Sequence, residues 1–216
     1  NKNVGSNKTV TVNSITLADG SGLAANYSIS AGQTTTADIT AKSLTVSGIT
    51  ASNRTYDGST NVTLTGTAVY SGLVSGDTFN GTYTGAFSDK NAGVGKTVTI
   101  TSSYSGADVS NYSVTDQSTT TANITAKSLT VSGITASDKT YDGSTSATLT
   151  GTAVYSGLVA GDTFDGSYTG VFSNANVGSG KTVTITPSYA GADVNNYSVT
   201  DQSTTCLLYT SPSPRD

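Results

Sequence analysis

The sequence predicts an all-β protein made of tandem, small, antiparallel β-sandwich-like repeats of about 85 residues. Three observations lead to this prediction. Thr, Ser, Gly and Asn dominate the residues that are neither hydrophobic nor charged, and Met, Trp, His and Glu are absent, so the chain is poor in strong helix formers. Apolar residues alternate with polar ones along several segments, which is the periodicity of a β-strand. Most of the chain also recurs at a fixed spacing.

The recurrence divides the chain into repeats. The segment "ITAKSLTVSGITAS" begins at Ile39 and again at Ile124, and "TYDGST" supplies Tyr56 and Tyr141, which lie 85 residues apart. The first forty or so residues look like the back half of a third, more divergent copy. The sequence therefore predicts a truncated repeat over 1–41, a complete repeat over 42–126, a second repeat lacking its last strand over 127–205, and a non-native tail over 206–216.

The strands within one repeat follow from alternation and from the turn residues between them. In order, the expected strand segments are "SLTVSGI", "NVTLTGTAVY", "TFNGTYTGAFS", "KTVTITSSY", "NYSVT" and "TANITAKSLTV", the last running from one repeat into the next. This gives about six or seven strands per repeat, the density of a small antiparallel sandwich. Separate modules joined in series are favoured over a β-solenoid, because solenoid repeats are usually shorter, about 20–30 residues.

Charge and hydropathy restrict the partners of the chain. The net charge is −4 and charged residues are only 11% of the sequence, so no basic stripe is present that would bind a phosphate backbone. No apolar run approaches the roughly 18 residues of a membrane-spanning helix. We therefore expect no nucleic-acid partner and no membrane span.

The last segment, "CLLYTSPSPRD" (206–216), departs from the rest of the chain. It contains the only cysteine and two of the three prolines, and it shows no alternation. It resembles a translated sequencing adapter, so we expect it to be non-native and the reading frame to be cut at both ends; a natural disordered C-terminus is the alternative. Without this tail the chain has no thiol chemistry and no disulfide.

The segment "VGSGKTVTI" (177–185) raises the question of a phosphate-binding loop. Such a loop needs a glycine that is separated from the Gly-Lys pair by four residues, and a helix after the pair. Ala175 occupies that position in this copy and Lys90 in the preceding copy, and a strand pattern follows the lysine. The sequence therefore predicts a turn before a strand.

Few residues suit catalysis or metal binding. The absence of His and of native Cys removes the usual general base, the usual nucleophiles and the transition-metal ligands. A carboxylate pair of Asp77 with Asp57 or Asp89 is conceivable, but Asp beside Gly more simply forms turns. The calcium-loop pattern of spaced Asp residues is missing. We predict no catalytic residue, no metal and no cofactor.

The recurring Tyr-Asp-Gly tripeptide supplies the candidate binding residues Tyr56, Asp57, Tyr141 and Asp142. Under one interpretation the tyrosine packs on the sandwich and Asp-Gly forms a turn with positive φ at the glycine. Under the other, exposed tyrosines stack on sugars while Asp accepts hydrogen bonds from sugar hydroxyls. The packing interpretation is favoured.

The ordered series "LTVSGITASNRTYDGST", "GLVSGDTF", "NAGVGKTVTI", "NYSVT" and "ANITAKSLTV" resembles the YDG-type repeat. That repeat is found among the mostly-β, glycine-rich repeats of very large secreted bacterial proteins such as filamentous-haemagglutinin-like adhesins. The resemblance implies a non-catalytic stalk or scaffold segment that is secreted or lies on the bacterial cell surface.

The partners implied are the neighbouring repeats and, through other parts of the parent chain, host or matrix glycans or proteins. The alternative is an array of carbohydrate-binding modules attached to a secreted enzyme or matrix protein.

Overall fold

Strands dominate the computed structural model, which describes residues 1–210. The all-β prediction and the two repeats of about 85 residues are confirmed. Among these described residues, no helix is long and apolar enough to cross a membrane. The strands are β1 (Gly5–Thr11), β2 (Thr34–Ile39), β3 (Lys42–Ser47), β4 (Thr50–Ala51), β5 (Arg54–Thr55), β6 (Leu64–Thr65), β7 (Val69–Ser71), β8 (Asn80–Phe87), β9 (Gly93–Ser105), β10 (Tyr112–Thr115), β11 (Thr119–Thr125), β12 (Lys127–Ser132), β13 (Thr135–Ala136), β14 (Lys139–Thr140), β15 (Ser146–Ala147), β16 (Leu149–Thr150), β17 (Val154–Ser156), β18 (Asp165–Phe172), β19 (Gly178–Ala190), β20 (Tyr197–Thr200) and β21 (Thr204–Thr210). Single turns of 3-10 helix cover Ala24–Asn26, Val109–Asn111 and Val194–Asn196.

The chain forms two compact units whose boundaries cut across the repeats. Unit 1 contains Asn1–Thr50, Leu64–Thr84 and Ile100–Ser118, and unit 2 contains Ala51–Thr63, Gly85–Thr99 and the chain from Thr119 onward. Each unit therefore combines the end of one predicted repeat with a large part of the next. The repeat boundaries themselves stay a prediction.

Unit 1 has a three-stranded sheet in which β3 lies between β10 and β7. Leu44 and Val46 alternate with threonine and serine along β3, so both point to one face of the sheet and are buried. They pack with Ile49, Phe79 and Ile100 in a single hydrophobic cluster. Unit 1 also contains a separate two-stranded sheet, β1–β2.

Unit 2 repeats that arrangement around β12, which lies between β17 and β20. A five-stranded sheet in the order β14-β21-β19-β18-β15 carries the long β18–β19 hairpin. Phe172 and Val183 are paired across this hairpin and are almost fully buried. Alternation along β18 and β19 thus places one face of the hairpin in the core, as the sequence predicts.

The sheets are mixed, which refines the antiparallel prediction. Hairpin neighbours such as β18 and β19 are antiparallel, but β3 with β10, β12 with β20, β5 with β11 and β14 with β21 are parallel. Parallel neighbours need a long connection, and the body of a repeat supplies it, because each parallel pair joins an early strand of a repeat to a late one.

Two expected strands are divided in the structure. The segment "NVTLTGTAVY" forms β6 and β7, because Gly66 has a φ of +82° and turns the chain between them. A Cβ at Gly66 would lie 2.3 Å from the backbone oxygen of Gly48, so only glycine fits this close approach. The segment "TANITAKSLTV" likewise divides at Ala126 into β11 and β12, which belong to different sheets.

The predicted turn in "VGSGKTVTI" is a β-bulge inside strand β19. The pairing with β21 shifts between Gly178 and Lys181, and Gly180 has a φ of +65° at the bulge. The corresponding Gly95 has a φ of +63°, and its N–H donates to Oδ1 of Asn123 at 2.7 Å. Because the strand continues through the lysine, the helix that a phosphate loop requires does not follow it.

The end of the second repeat differs from the expected missing strand. Strand β21 (Thr204–Thr210) pairs antiparallel with β19 and parallel with β14, just as β11 pairs with β9 and β5. The tail predicted to be non-native thus contributes backbone to this strand, while 211–216 lie outside the described residues. Its foreign origin stays a prediction.

Candidate repeat-docking site

The first Tyr-Asp-Gly segment is a tight turn at the end of strand β5. Gly58 has a φ of +80°, the left-handed region that favours glycine. One carboxylate oxygen of Asp57 accepts the N–H of Ser59 at 2.8 Å, which is an Asx turn, and the Arg54 guanidinium pairs with the same carboxylate. The turn half of the packing interpretation is therefore observed.

Tyr56 itself is only 1% exposed, and its side chain contacts Asp162 and Tyr197 of the second repeat. Its hydroxyl donates to Oδ2 of Asp162 at 2.8 Å. Its ring meets the Tyr197 ring edge-on, with centroids 5.6 Å apart and planes at 79°. The signature tyrosine of one repeat is thus buried against residues of the next repeat.

Asp162 is held in place by a turn of the second repeat. Its N–H donates to the carbonyl of Val159 at 3.2 Å, and Gly161 supplies the φ of +90° that a type II turn needs. The hydroxyl of Tyr197 accepts the N–H of Val159 at 2.9 Å and donates to Oδ2 of Asp162 at 2.6 Å. These contacts within the second repeat fix the orientation of the Asp162 carboxylate toward Tyr56.

Lys90 of the first repeat bridges two carboxylates of the second. Its Nζ lies 3.1 Å from Oδ1 of Asp162 and 2.9 Å from Oδ1 of Asp193. The other oxygen of Asp193 accepts the N–H of Thr163 at 2.9 Å. Lys90 also lies 5.9 Å from the centroid of the Tyr56 ring, within range of a cation–π contact.

Asn196 adds a backbone contact beside the lysine. It is 3% exposed, and its Oδ1 accepts the N–H of Ala92 at 2.9 Å, while its Nδ2 donates to Oδ1 of Asn91 at 3.3 Å. We refer to these side chains together as the docking cluster: Tyr56, Lys90, Asp162, Asp193, Asn196 and Tyr197.

The charges of the docking cluster are stable around neutral pH. Burial opposes ionisation of Asp162, yet hydrogen bonds from Tyr197, Tyr56 and Lys90 hold its pKa below the ordinary value of 3.8. The Thr163 N–H and then Lys90 lower the pKa of Asp193. Hydrogen bonds to Asp193 and Asp162 raise the pKa of Lys90.

The tyrosines stay protonated, because burial and the Asp162 carboxylate raise the pKa of Tyr56 and raise that of Tyr197 to about 12. The cluster thus consists of fixed charges and filled hydrogen bonds, an arrangement suited to holding two surfaces together.

Unit 1 contains the same lysine bridge in a second example. Lys2 lies 2.6 Å from Oδ1 of Asp77 and 3.0 Å from Oδ1 of Asp108, and these hydrogen bonds raise its pKa to about 12. Tyr112 donates to Oδ2 of Asp77 at 2.7 Å. Asn111 accepts the N–H of Val4 at 2.9 Å, as Asn196 accepts that of Ala92. Lys2 and Lys90 occupy matching places in "NKNVG" and "DKNAG".

The second Tyr-Asp-Gly segment has the same turn but a different tyrosine environment. Asp142 accepts the N–H of Ser144 at 2.9 Å and pairs with Lys139 at 2.9 Å. Tyr141, by contrast with Tyr56, is 52% exposed. A ligand-binding role for Tyr56, Asp57, Tyr141 and Asp142 stays a prediction.

The carboxylates considered for hydrolysis are each engaged with a cation. The ion pairs are Asp57 with Arg54, Asp77 with Lys2, and Asp89 with Lys96. Among the described residues, no group of three or more His, Cys, Asp or Glu side chains is placed to hold a metal ion.

The sequence interpretation missed the acceptor half of this site. Asp162 and Tyr197 lie in "AGDTF" and "NYSVT", which the alternation pattern identifies only as a turn and a strand. The sequence signal that could have identified them is their recurrence as Asp77 and Tyr112 in the other copy. The Lys-Asn pair recurs in the same way, as Lys2-Asn3 and Lys90-Asn91.

Comparison with known proteins places the chain in a family. The YDG domain matches it twice, over residues 40–122 and 125–206. No curated protein and no solved structure gives a match. Because the two matches cover well over half of the sequence and include both Tyr-Asp-Gly turns, the chain belongs to the YDG domain family.

Proposed function

We propose that this chain is a structural repeat segment, a stalk or scaffold without catalytic activity, of a secreted or cell-surface bacterial adhesin. The observation that carries the proposal is the docking of Tyr56 and Lys90 on Asp162 of the following repeat. A motif side chain used in this way holds one repeat against its neighbour. The parent protein would contact host or matrix glycans or proteins through its other parts.

The composition supports export of an extended chain. Outside the tail the sequence has no cysteine, so folding of the repeats requires no disulfide formation. Side chains of one repeat contact the next repeat, as Lys90 contacts Asp162. Such contacts restrict the bending between repeats that a flexible linker would allow. A protein that must project a binding domain from a surface needs this restraint.

Force spectroscopy tests the scaffold role. The chain is stretched between its ends, and the unfolding force of unit 2 is compared with that of Tyr56→Ala and of Tyr141→Ala. We expect Tyr56→Ala to lower the force, because the docked ring is lost, and Tyr141→Ala to leave it unchanged. Equal forces for all three proteins would count against a mechanical role for the docked repeats.

The carbohydrate-binding alternative has one observation in its favour, the exposed Tyr141 ring beside the Asp142 turn. A broad glycan array probed with the fluorescently labelled chain separates the two functions. The scaffold proposal predicts no saturable binding. Binding that Tyr141→Ala abolishes would instead establish the carbohydrate function, and turnover of a glycan would contradict the non-catalytic assignment.

A further inference from the structure

We propose that each YDG repeat contains a site for an oxidative tyrosine cross-link. The partners are Tyr70 and Tyr83 in the first repeat, and Tyr155 and Tyr168 in the second. The reaction is the coupling of the two phenol rings to dityrosine by a haem peroxidase and hydrogen peroxide. The proposed function needs no covalent modification, so this inference goes beyond it. Neither pair belongs to the docking cluster.

The two tyrosines of each pair meet at their hydroxyl groups. The hydroxyl of Tyr83 donates to that of Tyr70 at 3.1 Å. The hydroxyl of Tyr168 donates to that of Tyr155 at the same distance of 3.1 Å. All four residues are partly exposed. The contact therefore recurs once in each repeat, at a place that solvent reaches.

A glycine makes room for each pair of hydroxyls. A Cβ at Gly166 would lie 2.4 Å from the hydroxyl oxygen of Tyr168 and 2.6 Å from that of Tyr155. Gly81 lies beneath the other pair in the same way. Both glycines lie within strands, β8 and β18, and neither has a positive φ. The pair of phenols, and not the backbone conformation, thus requires the missing side chain.

The starting contact matches the arrangement of the product. In dityrosine the rings are joined through the carbons next to their hydroxyls, so the two hydroxyls stay neighbours. Tyr168 and Tyr155 already meet in this way. Tyr189 also lies beside Tyr168, but the two rings meet edge-on, with centroids 6.2 Å apart and planes at 80°. An edge-on approach turns the edge of one ring to the face of the other, so Tyr155 is the better placed partner.

The coupling balances as an oxidation by two electrons. Burial and the hydrogen bond to Tyr155 raise the pKa of Tyr168 to about 12, so the phenol starts protonated near neutral pH. Each tyrosine of a pair loses one electron to the peroxidase and its phenolic proton to water, which leaves two phenoxyl radicals. The radicals join by a carbon–carbon bond, and the hydrogens on the joined carbons move to the oxygens, which restores both phenols. Hydrogen peroxide accepts the two electrons and two protons and becomes two molecules of water.

The link would connect two different sheets. Tyr155 lies on β17 in a three-stranded sheet, and Tyr168 lies on β18 in the five-stranded sheet of unit 2. The two residues are 13 positions apart in the chain. A covalent bond that closes such a loop stabilises a protein by restricting the unfolded chain, as a disulfide does. Outside the tail the sequence has no cysteine, so dityrosine would take the place of a disulfide.

Oxidation of the unmodified chain tests the proposal. The chain is treated at low concentration with a haem peroxidase and hydrogen peroxide, and the monomer is recovered by gel filtration. We expect dityrosine fluorescence in the monomer and a mass lower by four hydrogen atoms, two for each repeat. Digestion before aspartate cuts between the partners of each pair, at Asp77 and Asp162. The fragments on the two sides of each cut should stay joined.

Two variants assign the link. Tyr83→Phe combined with Tyr168→Phe keeps the rings and removes one hydroxyl from each pair, so the monomer should show no dityrosine fluorescence after treatment. Tyr27→Phe removes a tyrosine that is 68% exposed, and should leave the fluorescence of the monomer unchanged. Circular dichroism verifies that both variants are folded. The linked wild-type monomer should melt about 5 °C higher than the untreated one.

Three results would overturn the proposal. They are a treated monomer without dityrosine, equal fluorescence in the wild type and in the variant with both Phe substitutions, and a link that maps to Tyr168 and Tyr189. Links that form only between chains, through Tyr27, would overturn it as well. The glycan and force experiments use no oxidant, so failure here leaves the scaffold function standing.

Discussion

The Tyr56→Ala variant tests whether docking of the signature tyrosine stabilises the protein. Tyr56 is 1% exposed, and its ring packs on Tyr197 while its hydroxyl binds Asp162. Truncation of a buried aromatic side chain to Ala costs about 3–5 kcal/mol. The lost hydrogen bond to a carboxylate would add about 1.5–3 kcal/mol on its own. The two terms are not additive, because water and Lys90 can partly satisfy the freed carboxylate.

We therefore expect Tyr56→Ala to lower the free energy of unfolding of unit 2 by about 4 kcal/mol. Tyr141→Ala is the matched control, since it removes the same residue from the same tripeptide. Tyr141 is 52% exposed, so the control should change the free energy of unfolding by about 0.5 kcal/mol or less.

Guanidinium titration followed by far-ultraviolet circular dichroism measures both variants against the wild type. A shift in the midpoint at constant slope reports stability alone. Equal losses in the two variants would refute the reasoning, because the effect would then belong to the tripeptide turn and not to the docked ring.

Three further predictions concern the same contact. Lys90→Ala should lower the melting temperature, because Asp162 and Asp193 then face each other without the bridging cation; an unchanged value would show that the bridge adds nothing. Acid should destabilise unit 2 as the pH falls below about 3.8. The folded pKa values of Asp162 and Asp193 lie below the ordinary value, so the stabilisation they provide is present above that pH and is lost when they are protonated. Urea titrations from pH 7 to about pH 2.5 measure the free energy of unfolding, and a value that does not change with pH would contradict the prediction. Gly58→Ala and Gly143→Ala both place Ala at a positive φ, +80° and +77°, for about 1–2 kcal/mol each. Gly58→Ala should cost more in thermal unfolding, because only its Cβ meets the next repeat; equal costs would argue against that contact.

Much of the local structure is predictable from the sequence because local signals specify it. Alternation of Phe79, Tyr83 and Phe87 with polar residues predicts the strand that appears as β8. The Asp-Gly pair predicts the turn after Tyr56, and the structure places a positive φ at Gly58. The splitting at Gly66 is harder to foresee, since a glycine within an alternating pattern fits either a strand or a turn.

The docking cluster is not predictable in the same way because its contacts join distant parts of the chain. Asp162 beside Gly161 gives the same turn signal whether its carboxylate is exposed or buried. Tyr56 and Tyr141 have identical neighbours in sequence from Thr to Thr, yet one is buried and the other is half exposed. Tyr56 is buried by Asp162 and Tyr197 of the following repeat, and a pattern within one repeat contains no information about that contact.

A double-mutant cycle between Tyr56 and Asp162 tests the central claim most directly. The free energies of unfolding of wild type, Tyr56→Phe, Asp162→Asn and the double variant isolate the interaction between a side chain of one repeat and a side chain of the next. A hydrogen bond to this carboxylate predicts a coupling energy of about 1.5–3 kcal/mol. Additive effects, with a coupling below about 0.5 kcal/mol, would contradict the account, because the tyrosine of the family motif would then not hold the following repeat.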